Sequence, residues 1–136
     1  YRFLREHWND HQGKFFAFFM AQAAFVVIFS LPFLVAANNP VAGFTHWSWL
    51  AIAVWLLALG GEWLSDQQLA TWRRSPANRG RTCRAGFWRY SRHPNYFFEW
   101  LQWFAYVLLS IGSPWWWLSL AGPALMLVSL RWITGI

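Results

Sequence analysis

Residues 15 to 37, "FFAFFMAQAAFVVIFSLPFLVAA", contain no charged side chain. A helix of that length crosses the roughly 30 Å of hydrocarbon in a bilayer. Pro32 lies inside the run, and packed membrane helices tolerate such a residue, with a kink as the usual consequence. "NNPVAG" closes it. A second span is expected from residue 47, continuing helically through "SDQQLATWRR" to about 72. A third is expected over about 96–111, turned by "GSP", and a fourth over about 115–133. Only 12% of the residues are charged while 57% are hydrophobic. Soluble domains carry about a quarter charged residues, so there is too little charge here to coat a globule. The expected fold class is therefore all-α integral membrane. It would be one helical domain of about four transmembrane helices with a basic cytoplasmic loop over 73–95. The chain lacks an initiator Met and stops just after an apolar stretch, so a fragment of a longer chain is expected. The opening "YRFLREHWNDHQGK" mixes charges and has no small-residue cleavage site, unlike a signal peptide.

The basic residues orient the expected spans. Seven of the eleven Lys and Arg lie between Arg73 and Arg92. Arg2, Arg5 and Lys14 precede the first span and Arg131 lies near the end of the fourth, while the 38–46 and 112–114 connections carry no charge of either sign. With four crossings all the basic residues fall on one side, which the positive-inside rule makes cytoplasmic. Trp47, Trp49, Trp88, Trp115, Trp116 and Trp117 sit near the expected span ends, as an interfacial aromatic belt would.

Two polar stripes interrupt this apolar chain. Glu62, Asp66 and Arg73 are spaced by four and seven, which puts them on one helical face. Asn95, Glu99, Gln102 and Tyr106 are spaced by four, three and four, again one face. Both helices are tied to the 73–95 loop, so the stripes begin at the same depth and can face each other. A carboxylate within a span costs roughly 2.5–3.5 kcal/mol on insertion scales. Such acids belong against a watery or ligand-filled cavity rather than lipid. The plainer alternative is that Glu62 and Asp66 pair with loop arginines and merely close a helix end.

The loop "RRSPANRGRTCRAGFWRYSRHPNY" supplies seven guanidinium groups and His93. Guanidinium holds phosphate through paired hydrogen bonds, Gly80 and Gly86 allow close backbone approach, and a helix beginning at Pro94 or Asn95 favours an anion at its N-terminus. These features suit a diphosphate-bearing cofactor or a phosphorylated ligand. Equally, the arginines could only contact anionic lipid headgroups and set topology.

At "GFWRYSRHPNYFFEW" the chain resembles the bacterial DUF1295 proteins, of the steroid 5-alpha-reductase-like superfamily of membrane enzymes. The likeness runs from "YRFLREHW" through "SLPFLVAANNP" and the long block "LLALGGEWLSDQQLATWRRSPANRGRTCRAGFWRYSRHPNYFFEWLQWFAYVLL" to "GPALMLVSLRWITGI". The element "RHP.Y" is also shared with isoprenylcysteine and phospholipid methyltransferases that use S-adenosylmethionine. The resemblance to the reductases lies in "N[YF]..E", here Asn95, Tyr96 and Glu99, and in "SD" followed by an arginine, here Ser65, Asp66 and Arg73. Steroid reductases have an asparagine four positions before that aspartate, where this chain has Glu62. The resemblance implies NADPH as cofactor, contacted by Asp66, Arg73, Arg81, Tyr90, Asn95 and Glu99, with Arg92, His93 and Tyr96 beside them. Arg131 stands where such enzymes also have an "LR" pair.

That resemblance implies a reductase of an enone or similar activated double bond in a lipid-like, steroid or isoprenoid substrate, in a bacterial inner membrane. Local candidates for the catalytic proton donor are Tyr106, at the deep end of its stripe, and Glu62. Histidine readily moves protons near neutral pH, but His93 reads better as a structural or phosphate-side residue. His7 and His11, with Asp10 nearby, make too small a set for a metal, so none is expected. Cys83 reads as an inert thiol. There is no GxGxxG and no Walker loop, which excludes a soluble Rossmann mode. The competing readings are an S-adenosylmethionine-dependent methyltransferase and a non-catalytic module that binds anionic lipid. A nucleic-acid role is not expected, because the basic residues form a short loop beside the membrane.

Overall fold

The computed structural model describes residue 5, residues 7–9 and residues 11–133. Arg2 and Asp10, invoked above, lie outside the described residues. The described structure is helical, without strands. Its elements are α1 (Gln12–Ala37), α2 (His46–Arg74), α3 (Pro94–Ser110) and α4 (Ala121–Val128). Short 3-10 turns at Pro76–Asn78, Gly86–Arg89 and Trp116–Leu120 join them, and a π turn, Ser129–Ile133, continues α4.

Two helices, α1 of 26 residues and α2 of 29, are long and apolar enough to cross a membrane. At 1.5 Å per residue they measure about 39 and 43 Å. Thr45 starts α2 with a capping box: its hydroxyl accepts from the Ser48 backbone, and Ser48 Oγ accepts from the Thr45 backbone. Pro94, not residue 96, opens α3, where its fixed φ suits the first helical turn and its missing N–H costs nothing.

The fourth expected span is helical throughout 116–133 but not uniform in its winding. Instead of one α-helix over 115–133, the chain passes through a 3-10 turn, eight residues of α-helix and a π turn. The reason is local. Gly122 is buried, and a side chain there would collide with the Trp103 ring and Pro32. Pro123 supplies no N–H, and its carbonyl accepts from Trp100 Nε1 at 3.0 Å. The backbone is drawn onto α1 and α3 at this point, and the turn before it tightens.

The helix ends fix the orientation of the bundle. Asn39, just past α1, donates to the carbonyls of Leu109 and Ile111 at the end of α3 (2.9 and 3.0 Å). The two charge-free connections therefore meet at one end. The arginine loop joins α2 to α3 at the opposite end, and Arg131 lies there beside Arg92. The most extensive packing is between α2 and α3. It is close because Gly61 of α2 faces the ring of Phe98. Large apolar side chains point outward: Phe16, Val26 and Leu57 are each more than 60% exposed. Apolar surface of that extent is what a lipid-facing protein presents.

Candidate functional site

The loop between α2 and α3 is pinned to α2 at two points. Gln68 Oε1 accepts the backbone N–H of Phe87 at 2.9 Å, and Trp88 Nε1 donates to the Ser65 carbonyl at 2.9 Å. Gly86, just before them, has φ +56°, and any side chain there would occupy the Gln68 amide. Only glycine meets both demands. The Phe87 ring then packs against Phe98 of α3, centroids 5.3 Å apart. Ser65, Gln68 and Trp72, spaced by three and four, form a face of α2 that serves this loop and that the sequence reading missed. Their 3,4 spacing was the available signal.

Loss of these anchors has a measurable consequence. Trp88→Phe and Gln68→Ala each remove one hydrogen bond of about 1 kcal/mol. The open population of the loop should rise roughly fivefold, and trypsin cleavage after the loop arginines with it. Unchanged cleavage rates in both variants would show that the loop is held by other means.

So pinned, the loop walls a cleft of about 2010 Å³ over the ends of α2 and α3. All seven arginines between Arg73 and Arg92 line it, and all seven are exposed. None forms an ion pair with a described carboxylate, so the helix-closing pairing of Glu62 and Asp66 with loop arginines is not what the structure shows.

Among the residues singled out from sequence, Asp66, Arg73, Arg81, Tyr90, Arg92, His93, Asn95 and Tyr96 all line this cleft. The two stripes meet: Asn95 Nδ2 donates to Asp66 Oδ1 at 3.2 Å. One helical turn deeper stand Glu62 and Glu99, and the three carboxylates lie within electrostatic reach of one another. Glu62 and Glu99 do not themselves line the cleft. Tyr106 does not either. Its ring packs against Phe33 of α1, centroids 4.5 Å apart, and lies 5.9 Å from the Trp103 ring. At that depth an aromatic side chain of α1 packs against the stripe residue, so an apolar cluster replaces the polar channel.

Three polar atoms in cleft-lining residues are buried without a hydrogen-bond partner among the described residues: Trp72 Nε1, His93 Nδ1 and Asn95 Oδ1. Buried polar atoms are normally satisfied. His93 also stacks on Tyr96, rings 5.3 Å apart and 13° from parallel, which gives the cleft a flat aromatic wall. Cys83 is buried and makes no disulfide. The arrangement combines a cationic rim, a flat wall and one lining carboxylate, Asp66.

A family model described as "Protein of unknown function (DUF1295)" matches residues 1–136. No curated protein and no solved structure matches the chain.

Proposed function

We propose, from the premise that this chain belongs to the DUF1295 family, which resembles the steroid 5-alpha-reductase-like membrane enzymes, that it is an NADPH-dependent reductase of an activated double bond in a lipid-like substrate. The observation that carries this reading is the cleft itself: seven arginines around one space, with no described carboxylate paired to any of them. Drug-sized ligands occupy about 300–1,000 Å³, so the cleft has room for a dinucleotide.

The residues fit such a ligand in kind. Arg73 and Arg81 would take phosphate oxygens by paired hydrogen bonds. The Asp66–Asn95 pair leaves a carboxylate oxygen and the unpartnered Asn95 Oδ1 to accept from hydroxyl or amide groups. Tyr96 and His93 offer a face for stacking. NADPH, when bound, supplies a hydride to an electron-poor double bond. The Asp66 carboxylate in the cleft lining, with Glu62 and Glu99 one turn deeper and outside it, would favour positive charge on an oxidised nicotinamide held nearby. Basic residues gathered at the loop end of the bundle favour a cytoplasmic loop, where that cofactor is found. Tyr106, turned to α1, is not proposed as the proton donor.

A methyltransferase reading is less well supported. S-adenosylmethionine carries a cationic sulfonium and no phosphate, which leaves the arginines without a purpose. The two are separated by titrating the purified protein with each cofactor. A ligand at 100 times its Kd stabilises the folded state by about 2.7 kcal/mol. We expect a rise of several degrees in Tm with NADPH and none with S-adenosylmethionine; the reverse result would assign a methyltransferase. If neither cofactor acts while anionic vesicles bind, the lipid-binding module is the better description.

A further inference from the structure

A second, smaller groove of about 230 Å³ adjoins the cleft. Ser91, Arg92, His93 and Tyr96 line both spaces, so the stacked His93–Tyr96 pair is a shared wall. On its far side the groove is apolar, formed by Phe97 of α3 with Leu127 and Leu130 from the last helical segment. Arg131 lies at its edge. Phe97 and Leu127 are each about half exposed on the outer surface of the bundle, so the groove opens toward the side that faces lipid.

We propose that this groove binds an amphiphile with one apolar chain and an acidic head, carboxylate or phosphate. The head lies at Arg92 and Arg131, and the chain runs over Phe97, Leu127 and Leu130 toward the bilayer. Charge complementarity selects the head, since Arg92 and Arg131 both line a groove whose remaining walls are the Ser91, His93 and Tyr96 side and the apolar side of Phe97, Leu127 and Leu130. Volume limits the rest: below the roughly 300 Å³ of small-molecule sites, the groove of about 230 Å³ takes one end of a chain rather than a fused multi-ring system. That this amphiphile is the substrate rests on the reductase reading. The groove's polar rim, not its apolar side, adjoins the cleft, so the reducible bond belongs near the head. In that reduction one carbon would take the hydride, NADPH supplying both electrons, and the other a proton from water in the open cleft.

The test uses the full chain in phosphatidylcholine nanodiscs and a dodecyl phosphate bearing a diazirine at its chain end. Photolabelling should fall on the segments around Phe97 and Leu127–Arg131. Excess dodecyl phosphate should suppress it, and inorganic phosphate or dodecyl maltoside should not. Leu127→Trp fills the groove and should lower labelling about tenfold, the loss of one or two methylenes from an apolar site, while NADPH-dependent stabilisation stays unchanged. Label spread evenly along the outer faces of α1 and α2 would mean partition into the bilayer and overturn the proposal. Equal suppression by inorganic phosphate would overturn it too, by assigning the binding to the arginine cleft alone. Groove labelling in a protein that NADPH fails to stabilise would uphold the groove and sink the reductase reading separately.

Discussion

If the cleft holds NADPH as proposed, replacing Arg73 and Arg81 together by glutamine should lower its affinity about 100-fold. Both side chains line the cleft, one at the end of α2 and one in the loop. A hydrogen bond to a charged group contributes about 1.5–3 kcal/mol, and 1.4 kcal/mol is a factor of ten. Two arginines each losing one such bond therefore reach two orders of magnitude. Because the side chains are exposed, the difference between wild type and variant should shrink as salt rises and the Debye length falls from about 10 Å at 0.1 M to 3 Å at 1 M. Stability without ligand should not change, since neither guanidinium is ion-paired to a described carboxylate. Isothermal titration at two salt concentrations measures both effects. Affinity within threefold of wild type would remove the arginine rim from any role in binding the cofactor.

Gly61→Val destabilises the bundle by about 2 kcal/mol, within the range for overpacking a filled core. A side chain at residue 61 enters the space of the Phe98 ring, between α2 and α3. Phe98 cannot move freely, because Phe87 of the loop packs on it. The strain therefore passes from the helix pair to the loop, and NADPH affinity should fall with stability. The neighbouring Gly60 is the control: nothing lies within 4 Å of a side chain built there. Gly60→Val should leave Tm within a degree or two, as surface substitutions usually do. Thermal unfolding in detergent compares the pair. Equal behaviour of the two variants would show that the close approach of α2 and α3 at Gly61 does not hold the site together.

The failure of Tyr106 as a cleft residue shows how far helical spacing carries. Residues 95, 99, 102 and 106 do share one face of α3, as their spacing requires. A face is a line along one helix, however, and what it meets depends on which neighbour stands opposite at each depth. Near Asn95 that neighbour is α2 with Asp66; near Tyr106 it is α1 with Phe33. The fourth helical segment, continuous over 116–133 as expected, varies in its winding for a related reason. Its apolar composition suits a span, but the contacts of Gly122 and Pro123 with α1 and α3 set its local winding.

Composition and periodicity alone determined that the chain is helical, that α1 and α2 can span a membrane, and that the basic residues gather at one end, because apolar run length and charge placement are local properties of the chain. The Asp66–Asn95 contact, the pinning of Gly86, Phe87 and Trp88 to α2, the open space between seven arginines and the small groove beside it were decided by tertiary structure. Each depends on residues about twenty to forty positions apart meeting across packed helices, and no periodicity within a single helix encodes which neighbour stands opposite.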